Sequence, residues 1–395
     1  VSRRAIIAGA GVGGLSTALA LSRTRFDVTI YEQAVALEEF GAGLQLTPNA
    51  TRILARLGAL EAVRESAMIP DAVYALRGSD DAVLMRLPLA DAERRWGAPY
   101  LALHRADLQQ ALAQLAERDD RVELRLGSAV ASVAPGEGRV HVELTQPLTT
   151  IEDAADLVIG ADGLRSRVRR KFGAGPSDAP AFTGRVAFRA TIPAHLVDSR
   201  WTEPQVILRL GPNAHLVHYP LRNGSIVNVV AVIEDTWRDG EPEHPWDGVA
   251  DRPALERAFA GWSASTRRLL DAARSWRAWP LFGRPALGAF ALAGRVALVG
   301  DAAHPMVPFL AQGAAQAIED AGALGSALAG AATIPDALAA YSSARVARAT
   351  RVQREALRQG RIYHLNGAMA AARDATMRLL GGRRLSARYD WLYGA

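Results

Sequence analysis

Apolar positions in this chain gather into short runs that stop at glycine-marked tips. Ala5 to Ala8 runs into Gly9-Ala10-Gly11-Val12-Gly13-Gly14; Leu15 to Leu21 then reads as a helix and Val28 to Tyr31 as a second, parallel strand ending at Glu32. Asp156 to Gly163 (DLVIGADG) is a buried strand with an acidic tip. Val296 to Val299 stops at Gly300-Asp301 and crosses a loop punctuated by Pro305 and Pro308. From Gln312-Gly313 onward, apolar residues recur at helical spacing: Ala314, Ile318, Ala321, Leu324 and Leu328.

Between these units the period changes. Gly41 to Asn49 reads as an irregular segment leading into a helix from Ala50 to Leu57, its two glycines suggesting close backbone approach to a neighbour or ligand. Ala72 to Leu87 looks like two strands around Gly78-Ser79-Asp80, a departure from alternating strand and helix. A helix starts at His104-Arg105-Ala106-Asp107, and strands follow at Val122 to Leu126 and Val140 to Leu144, with Val130 in a short edge segment. After Gly173 come alternating strands (Arg185 to Ile192, Gln205 to Leu210, Ala214 to Tyr219, Ile226 to Val232) that read as a mainly antiparallel sheet. Trp279-Pro280-Leu281 is expected to return the chain to the first domain, and from Ile334 onward the pattern is helical and Arg-rich.

The opening unit is GxGxxG in its required context, with a strand before, a helix after and an acidic residue about 20 positions on. Gly9 permits the tight turn, Gly11 lets backbone approach a pyrophosphate, Gly14 lets helix and strand pack closely, and Glu32 would accept hydrogen bonds from a ribose. At the late tip, the Asp301 carboxylate can accept from sugar-like hydroxyls, and the helix N-terminus at Gly313 favours a group that becomes anionic. A polyol chain joined to an electron-accepting ring would satisfy both.

Composition narrows the partners. The 395 residues suggest two domains, and 49% hydrophobic with 22% charged residues matches a globular protein. The net charge of +5 is carried almost wholly by scattered Arg, so nucleic-acid binding is not expected. With no Cys, disulfides, thiolate metal sites and cysteine nucleophiles are excluded. His141, His195, His244 and His364 show no paired ligand spacing, and no metal is expected. The apolar N-terminal stretch imitates a secretion signal, but the strand-turn-helix reading explains its four glycines. Without an apolar run of about 18 residues, no spanning helix is expected, and a cytoplasmic location follows as the expectation.

Three signatures stand in order: GAGVGG with Glu32, GADGLRSRVR at 160–169, and GDAAHPMVPFLAQGAAQAIEDA at 300–321. With the ending Tyr389 to Gly394, they resemble the single-component FAD-dependent aromatic hydroxylases, the group that includes salicylate hydroxylase, 3-hydroxybenzoate 6-hydroxylase and 6-hydroxynicotinate 3-monooxygenase. The resemblance implies an α/β fold: a Rossmann-type FAD-binding domain (1–71, 100–178, 278–332), an inserted mainly antiparallel substrate domain (72–99, 179–277) and a C-terminal helical region (333–395). It implies FAD as cofactor, with Gly9, Gly11, Gly14 and Glu32 on its ADP half and Val130 beside the adenine. Arg105 would lie near the phosphates, Asp301 on the ribityl chain, and Gly313 and Ala314 at the flavin pyrimidine edge. Asp162 and Gly163 match a tip associated with both FAD and reduced nicotinamide; NADH or NADPH would bind transiently, since no second GxGxxG exists.

The implied reaction is hydroxylation of a small aromatic or heteroaromatic acid or phenol with O2, through a flavin C4a-hydroperoxide, by a monomer or homodimer. Its alternatives are epoxidation, halogenation or two-electron reduction on the same fold, or an FAD-binding protein without hydroxylase activity. On the strand Ala214 to Tyr219, His215 and Tyr219 share one face and His218 points to the other. By resemblance His215 and Tyr219 hydrogen-bond or deprotonate the substrate hydroxyl, while Gln45, Pro308 and Phe309 line the pocket. Some relatives carry a polar group where this chain has Phe309. Arg189 is a candidate for a substrate carboxylate, and His304 is expected to shape the loop.

Overall fold

The computed structural model describes residues 3–37, 43–173, 175–236, 248–249 and 252–394; Gly41 and His244 lie outside them. Six strands form the first sheet, in the order Ala291–Leu292, Val296–Leu298, Leu157–Gly160, Arg3–Ala8, Phe26–Tyr31 and Val122–Arg125, all parallel except Ala291–Leu292. Helix Val12–Ser22 is apolar on every side and packs along helix Gly313–Gly330, so it is buried almost throughout. The glycine turn is steric necessity. Gly9 sits at φ +104°, and a Cβ on Gly14 would lie 1.9 Å from the Gly9 carbonyl oxygen.

Eight strands form the second sheet: Gly248–Val249, Arg277–Gly283, Ala181–Pro193, Ile226–Glu234, Ala214–Leu221, Gln205–Gly211, Ala72–Arg77 and Val83–Pro88. Its far face is covered by helices Arg252–Phe259 and Ala264–Ala272 through Trp201, Phe259, Trp262 and Trp276. Its near face turns toward the first sheet, and Ala187, Val232 and Leu281 pack with Val307, Phe309 and Ala356. Helix Ile334–Tyr363 packs on Gly313–Gly330, and helix Gly367–Ala387 lies over strand Val83–Pro88.

The structure departs from the sequence reading in three places. Trp279 to Leu281 belongs to strand Arg277–Gly283 of the second sheet, paired with Ala181–Pro193, so the chain leaves that sheet only after Gly283. Val130 lies, as expected, at an edge, in strand Ala129–Pro135; the departure is that this edge belongs to a three-stranded meander with Val140–Gln146 and a strand the reading did not include, Thr149–Ala155. That last strand carries mostly polar residues, and pairing rather than burial holds it. The segment read as irregular contains strand Gly43–Leu46, ordered by antiparallel pairing with Leu101–His104, a partner too distant for local pattern to reveal.

Between the sheets, a buried ionic cluster fixes the late tip. The Asp320 carboxylate accepts from the Gly300 N–H at 2.8 Å, from Arg345 Nε at 2.7 Å and lies 2.5 Å from His304 Nε2. Arg345 also pairs with Glu319, which accepts from Asn49 Nδ2 and from Arg348. Burial pushes the Asp320 carboxyl up, but His304 and Arg345 prevail and hold it below the usual range. Its stabilisation is therefore present above the unfolded carboxylate pKa and is lost as pH falls through the lower folded value. Arg345→Met strands two buried carboxylates and is expected to cost roughly 3–5 kcal/mol, read as a lower urea midpoint; an unchanged midpoint would remove the cluster from the stability of the fold.

Candidate active site

Three glycine tips and one helix start converge on a cleft between the sheets. At the first tip, Glu32 accepts from the Ala10 N–H at 2.7 Å and the Ala34 N–H at 2.9 Å, which clamps the glycine loop against the second strand. Each carboxylate oxygen keeps a further lone pair for a ribose. A Cβ built at Gly11 would meet nothing within 4 Å, so the space above that loop is open. Helix Val12–Ser22 has no side-chain cap and no acidic residue in its first turn, leaving its N–H groups for an anion. Ser128 N–H donates to the Glu32 carbonyl at 2.8 Å, which brings Val130 beside the same end of the cleft.

Asp162 reaches the cleft from the second tip. One carboxylate oxygen caps helix Arg167–Phe172, accepting from the N–H groups of Arg167 (2.7 Å) and Val168 (3.2 Å). The other oxygen is buried and has no partner among the described residues. Burial raises this carboxyl, although the hydrogen bonds of Ser166 and the helix start oppose it. Gly163 beside it adopts φ +75° with open space where a side chain would be.

The third tip carries Asp301. Its side chain retains solvent access yet is walled in by protein, the position of a group on a cleft floor. Burial raises its carboxyl, while Arg105, across the cleft at the start of helix Arg105–Glu117, and His304 pull it back. Five residues after Pro308, helix Gly313–Gly330 opens toward the same volume with no side-chain cap and no first-turn acid, and Gly313 faces open space. Ala314 follows it, half-buried. Gln312 is immobilised behind it by Thr47 Oγ1 at 2.8 Å and Asn49 Nδ2 at 3.1 Å.

The near face of the second sheet forms the opposite wall. Register places Arg189, Val230 and Val217 side by side on three adjacent strands, and His215 and Tyr219 flank Val217 on the same face. Tyr219 is 2% exposed; its ring lies so close to strand Gly43–Leu46 that a Cβ on Gly43 would sit 2.6 Å from it. That answers the close approach expected of Gly43: its neighbour is Tyr219, and its N–H donates to Asn228 Oδ1 at 2.7 Å. Gln45 interacts with the Tyr219 hydroxyl and accepts from the Tyr100 hydroxyl at 2.5 Å. Burial pushes the Tyr219 phenol far up, against Arg189 and Gln45, so it stays protonated at neutral pH.

Arg189 stacks on Trp279 at 4.2 Å, and its Nε is buried without a partner among the described residues. Burial and then Arg105 lower this guanidinium to about 10, against Tyr219, so it remains charged at neutral pH. Phe309 is wedged between His215, at 5.3 Å between ring centroids, and Gly360. Pro308 is half-buried beside it, at the start of a single 3-10 turn.

Two partners of these side chains escape sequence reasoning. His364, at the end of helix Ile334–Tyr363, lies 2.8 Å from His215 across 149 positions of chain. Tyr100 supports Gln45 from just before strand Leu101–His104. Neither belongs to a local motif. His218 turns to the far face against Trp201, and no His/Asp/Glu group among the described residues could hold a metal.

The cleft's chemistry fits an extended flavin dinucleotide. Open space at Gly11 and Gly313 admits it, uncapped helix starts meet its anionic parts, and the carboxylate of Asp301 awaits hydroxyl donors. Residues 3–356 match the family model described as an FAD binding domain. A 3-amino-4-hydroxybenzoate 2-monooxygenase, PtnB3 of Streptomyces platensis, is 37% identical over 99% of this chain and 96% of its own. A 3-hydroxybenzoate 6-hydroxylase of Polaromonas naphthalenivorans (strain CJ2) is 35% identical over 98% and 95%. The crystal structure of Klebsiella pneumoniae HpxO complexed with FAD and uric acid shares the fold, with a TM-score of 0.86 at 24% identity, covering 99% of this chain and 96% of that one.

Asp301→Ala removes the carboxylate on the cleft floor and is expected to weaken FAD binding by roughly 10- to 100-fold, measured by titrating deflavinated protein with FAD. Wild-type affinity in that variant would take Asp301 out of the cofactor site.

Proposed function

This chain belongs to the FAD-dependent aromatic monooxygenases, and we propose that it hydroxylates a benzoic acid that already bears a ring hydroxyl. The observation that carries this reading is Arg189: a charged guanidinium, sunk in the near face, with no acidic partner among the described residues and a buried Nε awaiting an acceptor. A buried cation without a counter-ion is costly, and a substrate carboxylate would relieve that cost. Val217 and Val230 supply an apolar floor for an aromatic ring, and Tyr219 and His215, on the same face of the strand as Val217, are there to meet its hydroxyl.

FAD, when bound, supplies the acceptance of hydride from NAD(P)H and the activation of O2. The chain's residues do the remainder. Arg189 holds the carboxylate and so sets which ring carbon faces the flavin. Tyr219, kept neutral, hydrogen-bonds the substrate hydroxyl, and Gln45 with Tyr100 fixes the direction of that phenol. His215 is buried; burial, then His364 and Arg185, holds it well below the usual imidazole range, so it meets the substrate as a neutral base. Phe309 and Val307 keep water from this wall. Gly9, Gly11, Gly14, Glu32, Val130, Asp162, Gly163, Arg105, Asp301, Gly313 and Ala314 make up the proposed flavin track, with the nicotinamide visiting near Asp162 and Gly163.

Arg189→Met is expected to raise KM for 3-hydroxybenzoate by roughly 10- to 100-fold and to leave KM for phenol nearly unchanged, in assays of NADH and NADPH consumption. An equal rise for both ligands would deny the carboxylate contact. Tyr219→Phe is expected to retain FAD but to lower the yield of hydroxylated product per NAD(P)H oxidised, by product mass. Full coupling in that variant would free Tyr219 of a role.

A further inference from the structure

We propose that His215, His364 and Glu234 form a proton relay connecting the substrate hydroxyl to bulk water, His364 and Glu234 acting through His215 as positioning and relay groups. The inference rests on the reading of the substrate as a phenol that is deprotonated at His215. Three elements contribute one group each: strand Ala214–Leu221, the end of helix Ile334–Tyr363, and the last residue of strand Ile226–Glu234. His215 Nδ1 lies 2.8 Å from His364 Nε2, and His364 Nδ1 lies 3.2 Å from Glu234 Oε1. The two imidazoles are buried, whereas the Glu234 side chain is 43% exposed. The line therefore runs from the cleft wall to the surface without a gap.

Its direction follows from donor and acceptor rules. A carboxylate only accepts, so the proton between Glu234 and His364 sits on His364 Nδ1. Neutral His364 then offers a lone pair at Nε2, and His215 must donate to it from Nδ1. That leaves the lone pair of His215 on Nε2, the ring nitrogen not engaged by His364 and the one the relay assigns to the substrate. Arg185 is the other charged neighbour: its guanidinium pairs with Glu234 at 3.3 Å and lies over the Phe309 ring, and its Nε–H, 3.4 Å from His364 Nδ1, could only donate there, a longer contact that gives way to the 3.2 Å one with Glu234 when Nδ1 carries the proton. From the next helix, Arg373 donates to the carbonyls of Ile362 and Tyr363, and Tyr363 stacks near His215 at 5.2 Å. Burial, then Arg185 and, more weakly, Arg373, lower His364 to about 4 against Glu234, so both rings are neutral at pH 7.

A neutral, buried His215 that simply kept the proton would become a buried imidazolium beside Arg185, which is costly. The relay avoids this. The substrate O–H bond breaks as its proton joins His215 Nε2, the Nδ1 proton of His215 moves to His364 Nε2, and the Nδ1 proton of His364 passes to the Glu234 carboxylate and then to water. One proton leaves, the phenolate oxygen keeps its hydrogen bond from Tyr219, and neither imidazole holds charge at the end. The same oxygen is a hydroxyl again in the product, so one reverse passage reprotonates it and restores both tautomers.

The test mixes FAD-loaded protein with 3-hydroxybenzoate in weakly buffered saline containing phenol red and follows proton release by stopped flow. Wild type is expected to release a proton on binding. Glu234→Gln, which keeps an acceptor but takes no proton, should slow release about tenfold or more, and added imidazole should restore it at the surface. Glu234→Asp should release nearly as wild type, and His364→Gln should be slow without rescue. FAD content and ligand-induced flavin fluorescence changes equal to wild type confirm that each variant is folded and binds. Release at the wild-type rate in both Glu234→Gln and His364→Gln overturns the relay while leaving the substrate reading intact. Binding of 3-hydroxybenzoate to wild type without release overturns both.

Discussion

A single buried carboxylate, that of Asp320, holds together the parts on which everything else depends. It accepts from the backbone at Gly300, meets His304 of the following loop and pairs with Arg345 of the long C-terminal helix. Strand tip, loop, flavin-facing helix and outer helical layer are thereby locked at one point. The consequence is geometric. Asp301 is left without a partner of its own on the cleft floor, and the first turn of helix Gly313–Gly330 keeps its N–H groups uncapped. Helix Val12–Ser22 contributes the same kind of open start at the other end of the cleft. The protein keeps these donors and this acceptor unsatisfied, and a flavin dinucleotide is the group that satisfies them.

Charge is sorted along the cleft. Arg105 and Arg189 face it without an ion pair among the described residues, while the phenols of Tyr100 and Tyr219 and the imidazole of His215 are held neutral by burial. Positive groups therefore await phosphate and carboxylate, and neutral ones await a hydroxyl. This division explains how a chain with scattered surface arginines can still present a selective interior: the selective arginines are those that line the cleft.

Much of this was legible in the sequence, and the boundary is physical. The glycine tips are local, because a tight turn, a close approach and a helix start fall within a few residues, so Gly9, Gly14, Glu32 and Asp301 announce themselves by spacing. The alternating strands carrying His215 and Tyr219 are equally local. Gly43 signalled a close neighbour, though only the structure names Tyr219. What spacing cannot show is pairing at a distance. His364 meets His215 across 149 residues, Gly43–Leu46 becomes a strand only against Leu101–His104, and Thr149–Ala155 is too polar to look buried. Trp279 reads as a return to the first domain because its run is apolar, yet that run is equally apt for the strand beside Ala181–Pro193, where it lies.

The second sheet ends on strand Val83–Pro88, and an open strand of that length is a template for another chain. Helix Gly367–Ala387 closes it, approaching so nearly that a side chain at Gly382 would collide with the Arg86 carbonyl, 2.0 Å away. Helix Gly367–Ala387 thus serves as a guard rail: it withholds from solvent the hydrogen-bonding margin along which like molecules could otherwise zip together.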